Sequence, residues 1–379
     1  MNSSDRSPTS HHPNGSGETG PKLRDVLRTD IRRGDFFSTV RRDFEDLREY
    51  FLDDDQKNRM ESMRPLKRGL FTVRWLLKMM ILKLNPARRL ILLIALVALI
   101  LNFSVVGGDT SNITFDFNFG LLGGILILFI LMLELKDKLL ARSELEAGRA
   151  VQAELMPPSN PEVPGWSLWL STRTANEVGG DLVDFQQLAD QRCRIAIADV
   201  AGKGLNAALM SAKLQSTLRA VAADPVPLAA IVEKTNTIYY RDGIRSMFAS
   251  LIYLEFRPDA GTVRYINAGH LPPVLLSDQQ AVSRSKGNAA IGLLPEPGYR
   301  EDAAELAPGD ILVLFSDGLT EAKNPFGEFF GEQRLLGALP GLRNRSAGEI
   351  GAHLLRMVDQ FIGDGRPGDD LSLVVMKRI

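Results

Sequence analysis

Two long apolar runs without a single charge interrupt the chain, Leu90 to Gly108 and Phe117 to Leu133. Each approaches the roughly 20 apolar residues a helix needs to cross a bilayer, within a working range of about 17–25. Eight Lys and Arg lie between Arg64 and Arg89 with no Asp or Glu among them, and Lys136, Lys138 and Arg142 follow the second run. The polar loop DTSNITFDFN between the runs carries no basic residue. Basic outer flanks with a non-basic loop predict a two-helix transmembrane hairpin over 90–133, both termini cytoplasmic. LILLIALVALIL is more uniformly apolar than the core helix of a soluble domain needs. A hairpin starting near residue 90 is not a cleaved signal peptide, and its loop leaves no room for an external sensor. The Asn112 sequon in that loop reads as chance. The expected location is the inner (cytoplasmic) membrane, with the lipid bilayer as a partner.

Residues 1–22 have the composition of a disordered tail. Over 23–89 the pattern is helical and basic. Phe37, Val40, Phe44, Leu47 and Phe51 recur on one face, and LFTVRWLLKMMILKL sets basic residues in apolar surroundings, suiting the inner membrane surface or an ordinary packed amphipathic helix. Beyond the hairpin, 134–158 reads as a helical linker that Pro157 and Pro158 stop. Leu140, Ala147, Val151 and Leu155 share a face, which allows a homodimer through this helix. Glu144 weakens that seam, and a single helix leaning on the next domain is the competing reading.

From 159 to 379 strand and helix patterns mix. SLWLSTRT, CRIAIADV, MFASLIYLEFR, TVRYINAG, ILVLFS and LSLVVMKR read as strands, with PDAG turning a hairpin between the third and fourth. Helices are expected over Asn206–Ala223, Pro227–Arg241, Glu332–Leu339 and Ala347–Phe361. Hairpin-paired strands with clustered helices predict an α+β domain: an antiparallel sheet protein with helices on its faces.

Composition narrows the chemistry. A net charge of −1 gives no sign of nucleic-acid binding. The lone Cys193 lies inside an apolar strand and excludes a disulfide framework or a cysteine zinc site. Of four histidines, His11 and His12 fall in the tail. A catalytic metal would therefore be held by oxygen ligands, which favours magnesium or manganese. The acids are placed for this: EVGGD ends at Asp181, IADVAGKG contains Asp199, FSDGLTEA contains Asp317, and GDD contributes Asp369 and Asp370. Three of these motifs put an Asp where a strand pattern stops, and the GDD pair precedes one. Asp181 and Asp199 suit adjacent antiparallel strands that deliver carboxylates to one edge. Gathered carboxylates repel one another without a cation, so the four motifs read as one two-metal site.

These motifs, with AVQAELMPP, MFASLIYLEF and INAGHLPPVLL, run in the order found in the PPM family of metal-dependent protein Ser/Thr phosphatases. The chain from about Leu145 to Ile379 resembles the bacterial SpoIIE-like branch of that family. The resemblance implies an α-β-β-α sandwich C-terminal to the hairpin, with two divalent cations, manganese or magnesium. It further implies a phosphorylated regulatory protein as substrate, for example an anti-sigma-factor antagonist. By position it assigns Asp181, Asp199, Asp317, Asp369 and the Val200 carbonyl to the metals, with a metal-bridging water as the attacking group at Asp181 and Asp199. Glu177, Asp184, Asp370 and Gly318 fall in supporting places. Leu182 and Val183 stand where relatives often carry an aromatic pair, and Lys203 where many carry His. No ligand is lost, which weighs against a catalytically inactive phosphoprotein-binding scaffold. The absence of a GxxxxGK[ST] or GxGxxG loop weighs against a nucleotide-binding enzyme. His270 reads as a structural turn residue before a leaving-group acid, and Arg173 as a solvated strand-edge residue before a phosphate ligand.

Overall fold

A computed structural model describes residues 65–101, 104–107, 115–223, 226–244, 246–278, 280–284, 287–365 and 367–379. The tail, the amphipathic segment at Phe37–Phe51 and the sequon loop lie outside the described residues. Contacts divide the chain into Met1–Lys136 and Asp137–Ile379.

In the first unit, α1 (Pro65–Lys83) and α2 (Pro86–Leu101) are followed by two short antiparallel strands, β1 (Ser104–Gly107) and β2 (Phe115–Asn118). Next, α3 begins at Phe119 and runs unbroken to Leu155, into the second unit. Pro86 opens α2, where its missing N–H leaves nothing unsatisfied. A glycine lets α2 and α3 approach closely. A Cβ on Gly123 would lie 2.7 Å from the Ala95 carbonyl and 3.0 Å from Leu99 Cγ. Arg88 and Glu134 form an ion pair at 2.6 Å. The expected hairpin is met in part. Among the described residues α3 is the one helix long and apolar enough to cross a membrane. The shorter α2 has 16 residues. At about 1.5 Å of rise per residue it falls short of a hydrocarbon core of roughly 30 Å. Residues 104–107 of the first apolar run and 117–118 of the second are strand instead of helix. The β-branched Val105 and Val106 favour that outcome.

The second unit is built on two five-stranded antiparallel sheets. One has the order β10 (Asp302–Glu305), β7 (Thr262–Ala268), β6 (Ala249–Phe256), β5 (Cys193–Val200), β4 (Leu182–Gln187). The other runs β3 (Trp166–Arg173), β12 (Leu371–Arg378), β11 (Ile311–Phe315), β8 (Val274–Ser277), β9 (Gln280–Ser283). Between them Leu168, Leu170, Ile195, Ile197, Leu254, Leu314 and Val374 form a dry core that also takes in Cys193. On the outside of the first sheet pack α4 (Gly204–Ala222) and α5 (Leu228–Asp242), through Leu214, Leu218 and Ile231 against Ala196, Tyr253 and Ile266. On the second sheet lie α7 (Glu332–Ala338) and α8 (Ala347–Ile362), through Leu335, Ile350, Leu354 and Val358 against Val313, Leu373 and Val375. A one-turn helix, α6 (Asp317–Thr320), follows β11. Ser346 and Glu349 close a reciprocal capping box at the start of α8, which satisfies two backbone donors the helix would otherwise leave open. The layers are α-β-β-α, as the resemblance implied.

Two expectations change. The polar segment LVDFQQ, which carries no strand pattern, forms β4, and Asp181 lies just before its start instead of at a strand end. Asp317 opens α6 instead of ending a strand. Neither change scatters the acids: β4 and β5 are antiparallel with Leu182 opposite Ala198, so the start of one lies beside the end of the other.

Candidate functional site

Asp181 enters the site from the turn before β4 and Asp199 from the last residues of β5. Asp317 comes from the turn after β11, and Asp369 and Asp370 from the turn before β12. Because β11 and β12 pair with Phe315 opposite Leu373, the last two turns lie side by side.

The backbone here is tightly fitted. The Asp370 carboxylate is buried and accepts the N–H groups of Ala175 and Gly180, both at 2.8 Å, so the last motif clasps the loop carrying Asp181. A Cβ on Gly179 would collide with that carboxylate, one on Gly318 with the Asp370 carbonyl, and one on Gly180 would lie 2.9 Å from the Val200 carbonyl. The paired glycines of EVGGD and the glycine after Asp317 are thus required by close approach. Ser316 Oγ donates to Asp181 Oδ2 at 2.7 Å and accepts the Ser372 N–H at 2.9 Å. The chain then turns through Gly202 and Gly204, both at positive φ, into α4.

Electrostatically the acids act on one another. Burial above all, then the charges of Asp199 and Asp370, raise the Asp181 carboxyl well above the ordinary range against the pull of Ser372 and Ser316. Burial, then Asp317, Asp369 and Asp370, push Asp199 up to about 6, while Lys203 pulls it down. Asp317 is raised by burial, Asp369 and Glu321. Lys203 Nζ lies 3.1 Å from Asp369 Oδ2 and donates to the Gly368 carbonyl at 3.2 Å. Among the described residues no group of three or more His, Cys, Asp or Glu side chains is gathered tightly enough to hold one ion alone. The donor set does fit a hard divalent cation: clustered carboxylates, with those of Asp181, Asp199 and Asp317 raised in pKa and backed by a carbonyl, are what oxygen-preferring cations relieve.

The remaining candidates separate. Asp184 faces α4, where Arg219 grips it at 2.5 and 2.9 Å and Gln215 at 3.1 Å; it ties β4 to the helix. Glu177 lies 3.9 Å from Arg142 of α3. Arg173 pairs with Asp359 of α8 at 2.7 Å, which directs it to the outer helix layer. His270 is buried, with Nδ1 2.7 Å from Ser250 Oγ and its backbone N–H held by Asn267; burial lowers its pKa to about 4. These bonds tie the turn after β7 to β6.

Sequence reasoning passed over Ser316, Ser372, the clasping role of Asp370, and Gln152. From the last turns of α3, Gln152 Nε2 donates to the Gly179 carbonyl at 2.9 Å and its Oε1 accepts the Gly179 N–H at 3.2 Å. A polar residue between apolar Val151 and Leu155 was the available signal.

The family model for stage II sporulation protein E matches residues 189–379. Protein IcfG of Synechocystis is 31% identical over 234 residues, 54% of this chain and 37% of IcfG. Phosphoserine phosphatase RsbU of Bacillus subtilis is 26% identical over 239 residues, 62% of this chain and 70% of RsbU. The solved PP2C domain of SiaA from Pseudomonas aeruginosa superposes with a TM-score of 0.55 at 19% identity, over 64% of this chain and 98% of that domain. Fold, motif order and family model agree: the chain belongs to the SpoIIE family, and its second unit has the α+β PP2C phosphatase fold.

Proposed function

We propose that this chain is a membrane-anchored, divalent-cation-dependent protein serine/threonine phosphatase acting on a phosphorylated regulatory protein. The observation that carries the reading is the meeting of Asp181, Asp199, Asp317 and Asp369, from four separate motifs, in one mutually repelling group. In this reading Asp181, Asp199, Asp317, Asp369 and the Val200 carbonyl would hold two manganese or magnesium ions. Such ions, when bound, polarise a phosphoryl oxygen and acidify the attacking water. The chain's own part is placement. Ser316 and Ser372 hold the Asp181 carboxylate, and Asp370 fixes the loop that carries it. The name of RsbU, a phosphoserine phosphatase, supports the substrate class.

Anchoring rests on α3 and its neighbour α2. Leu128, Leu131 and Met132 of α3 and Leu90 and Ile100 of α2 are all largely exposed. So much bare apolar surface suits lipid better than water. Regulation would pass along α3, whose Gln152 grips the loop two residues before Asp181. A segment or lipid that displaces the helix would loosen that loop.

Phosphate release from a phosphoserine protein, with and without manganese, tests the enzymatic reading. The expected outcome is manganese-dependent turnover that falls by about two orders of magnitude or more in Asp199→Asn, as when a transition-state charge group is removed. Equal rates with and without manganese, and in the variant, would leave a binding scaffold of the same fold as the better reading.

A further inference from the structure

The cation already present among the site acids is Lys203, and we infer that it is a built-in counter-ion which a divalent metal must displace from Asp369. This rests on the metal-dependent reading above and deepens it.

Three observations carry it. Lys203 Nζ is 3.1 Å from Asp369 Oδ2 and also donates to the Gly368 carbonyl, so both contacts hold the ammonium at the turn before β12. Among the described residues no other basic side chain forms an ion pair with Asp181, Asp199, Asp317 or Asp369. The backbone fixes its origin: Lys203 is extended at φ −136 and ψ 160 between Gly202 and Gly204, both in the left-handed region. Only the side chain is free to leave, and at 63% exposed it has solvent to move into.

The sign follows from charge. Without metal the ammonium offsets part of the carboxylate repulsion and stabilises the loop cluster. A divalent cation approaching Asp369 meets both a competitor for the same oxygen and a like charge, so Lys203 weakens metal binding. The gain is a site that stays folded before it is loaded and releases metal more readily.

The test is manganese binding to the full chain in detergent micelles, by titration calorimetry, for the parent, Lys203→Gln, Lys203→Arg and Lys213→Gln. Lys213 carries the same charge on α4 but donates to the Asp242 carbonyl, so it controls for net charge. Lys203→Gln should bind manganese about fivefold more tightly, the upper end of what an exposed ion pair contributes. Lys203→Arg and Lys213→Gln should stay close to the parent. Melting without metal should place Lys203→Gln below the parent, with a larger rise on adding manganese. Unchanged or weaker manganese affinity in Lys203→Gln, while the parent binds, overturns the counter-ion role alone. A parent that binds no manganese overturns the metal-dependent reading and this inference with it. A similar gain in Lys213→Gln would make the effect one of net charge and also overturn it.

Discussion

Among single residues, Asp199 has the most measurable consequence. Its folded pKa of about 6 lies above the ordinary 3.8, so the fold favours the neutral carboxyl and ionisation counts against stability. The penalty is absent below the ordinary value, grows between 3.8 and about 6, and is complete above that. His270 works in the opposite direction. Its pKa is lowered from 6.5 to about 4, so stability is lost as pH falls through that window and the unfolded chain gains a proton. The overall slope mixes the two, and only a comparison of variants isolates the aspartate. In metal-free protein, Asp199→Asn should gain stability over the parent on the order of 2 kcal/mol at about pH 7, with the gain vanishing near pH 4. Denaturant melts at the two pH values read this directly; a gain independent of pH would mean that Asp199 is not strained by its neighbours. The principal acids were legible as residues because strand patterns and glycine turns mark them. The partners of those acids were not. Ser316 and Ser372 look like ordinary strand-end serines, and only the pairing of β11 with β12 brings both to Asp181.

Among the elements, the strands with continuous apolar patterns were readable and the polar ones were not. CRIAIADV and LSLVVMKR are buried along nearly their whole length. Covered by the other sheet on one face and a helix layer on the other, such strands read as unbroken apolar runs. LVDFQQ in β4 spends Asp184 on Arg219 and Gln215, so its alternation is hidden by a side chain bonded to a helix. The capping box at Ser346 and Glu349 is visible as S-x-x-E and agrees with the start of α8 at Ala347, where the sequence pattern put it. The end of α3 is the element with the clearest functional consequence. Its Val151 and Leu155 share an apolar cavity of about 200 Å³ with Leu182, Leu205 and Leu209; Leu182 follows Asp181 directly, and Leu205 lies two residues past Lys203. A partly filled contact of this kind leaves Gln152 as the specific link between helix and loop. Gln152→Ala should lower stability by about 1–2 kcal/mol for the lost pair of hydrogen bonds, and should cut phosphate release well below the melting temperature. Lowered stability with full activity would reduce Gln152 to a packing role.

Taken as a whole molecule, one chain joins an apolar helical unit to a PP2C-fold unit through a helix without a break. The charge pattern around the two apolar runs is what suggests a membrane partner for the first unit. It could not set the helix ends, because valines near the loop favour strand over helix at β1. If the first unit anchors the chain, full-length protein should remain with membranes after an alkaline carbonate wash. A chain lacking residues 1–133 should be released and should differ from the full chain in phosphatase activity. Release of the full chain would contradict the anchor, and equal activity would contradict control through α3.

In the proposed reading, both the chemistry and its control depend on the acids of four distant motifs making one divalent-cation centre. Anomalous diffraction at the manganese edge, from crystals of the chain grown with manganese, puts that to the proof. Two peaks about 3.5–4 Å apart are expected. They should be bonded to the carboxylates of Asp181, Asp199, Asp317 and Asp369 and to the Val200 carbonyl, with Lys203 swung away from Asp369. No peak among these residues at saturating manganese, or peaks only elsewhere, would contradict it.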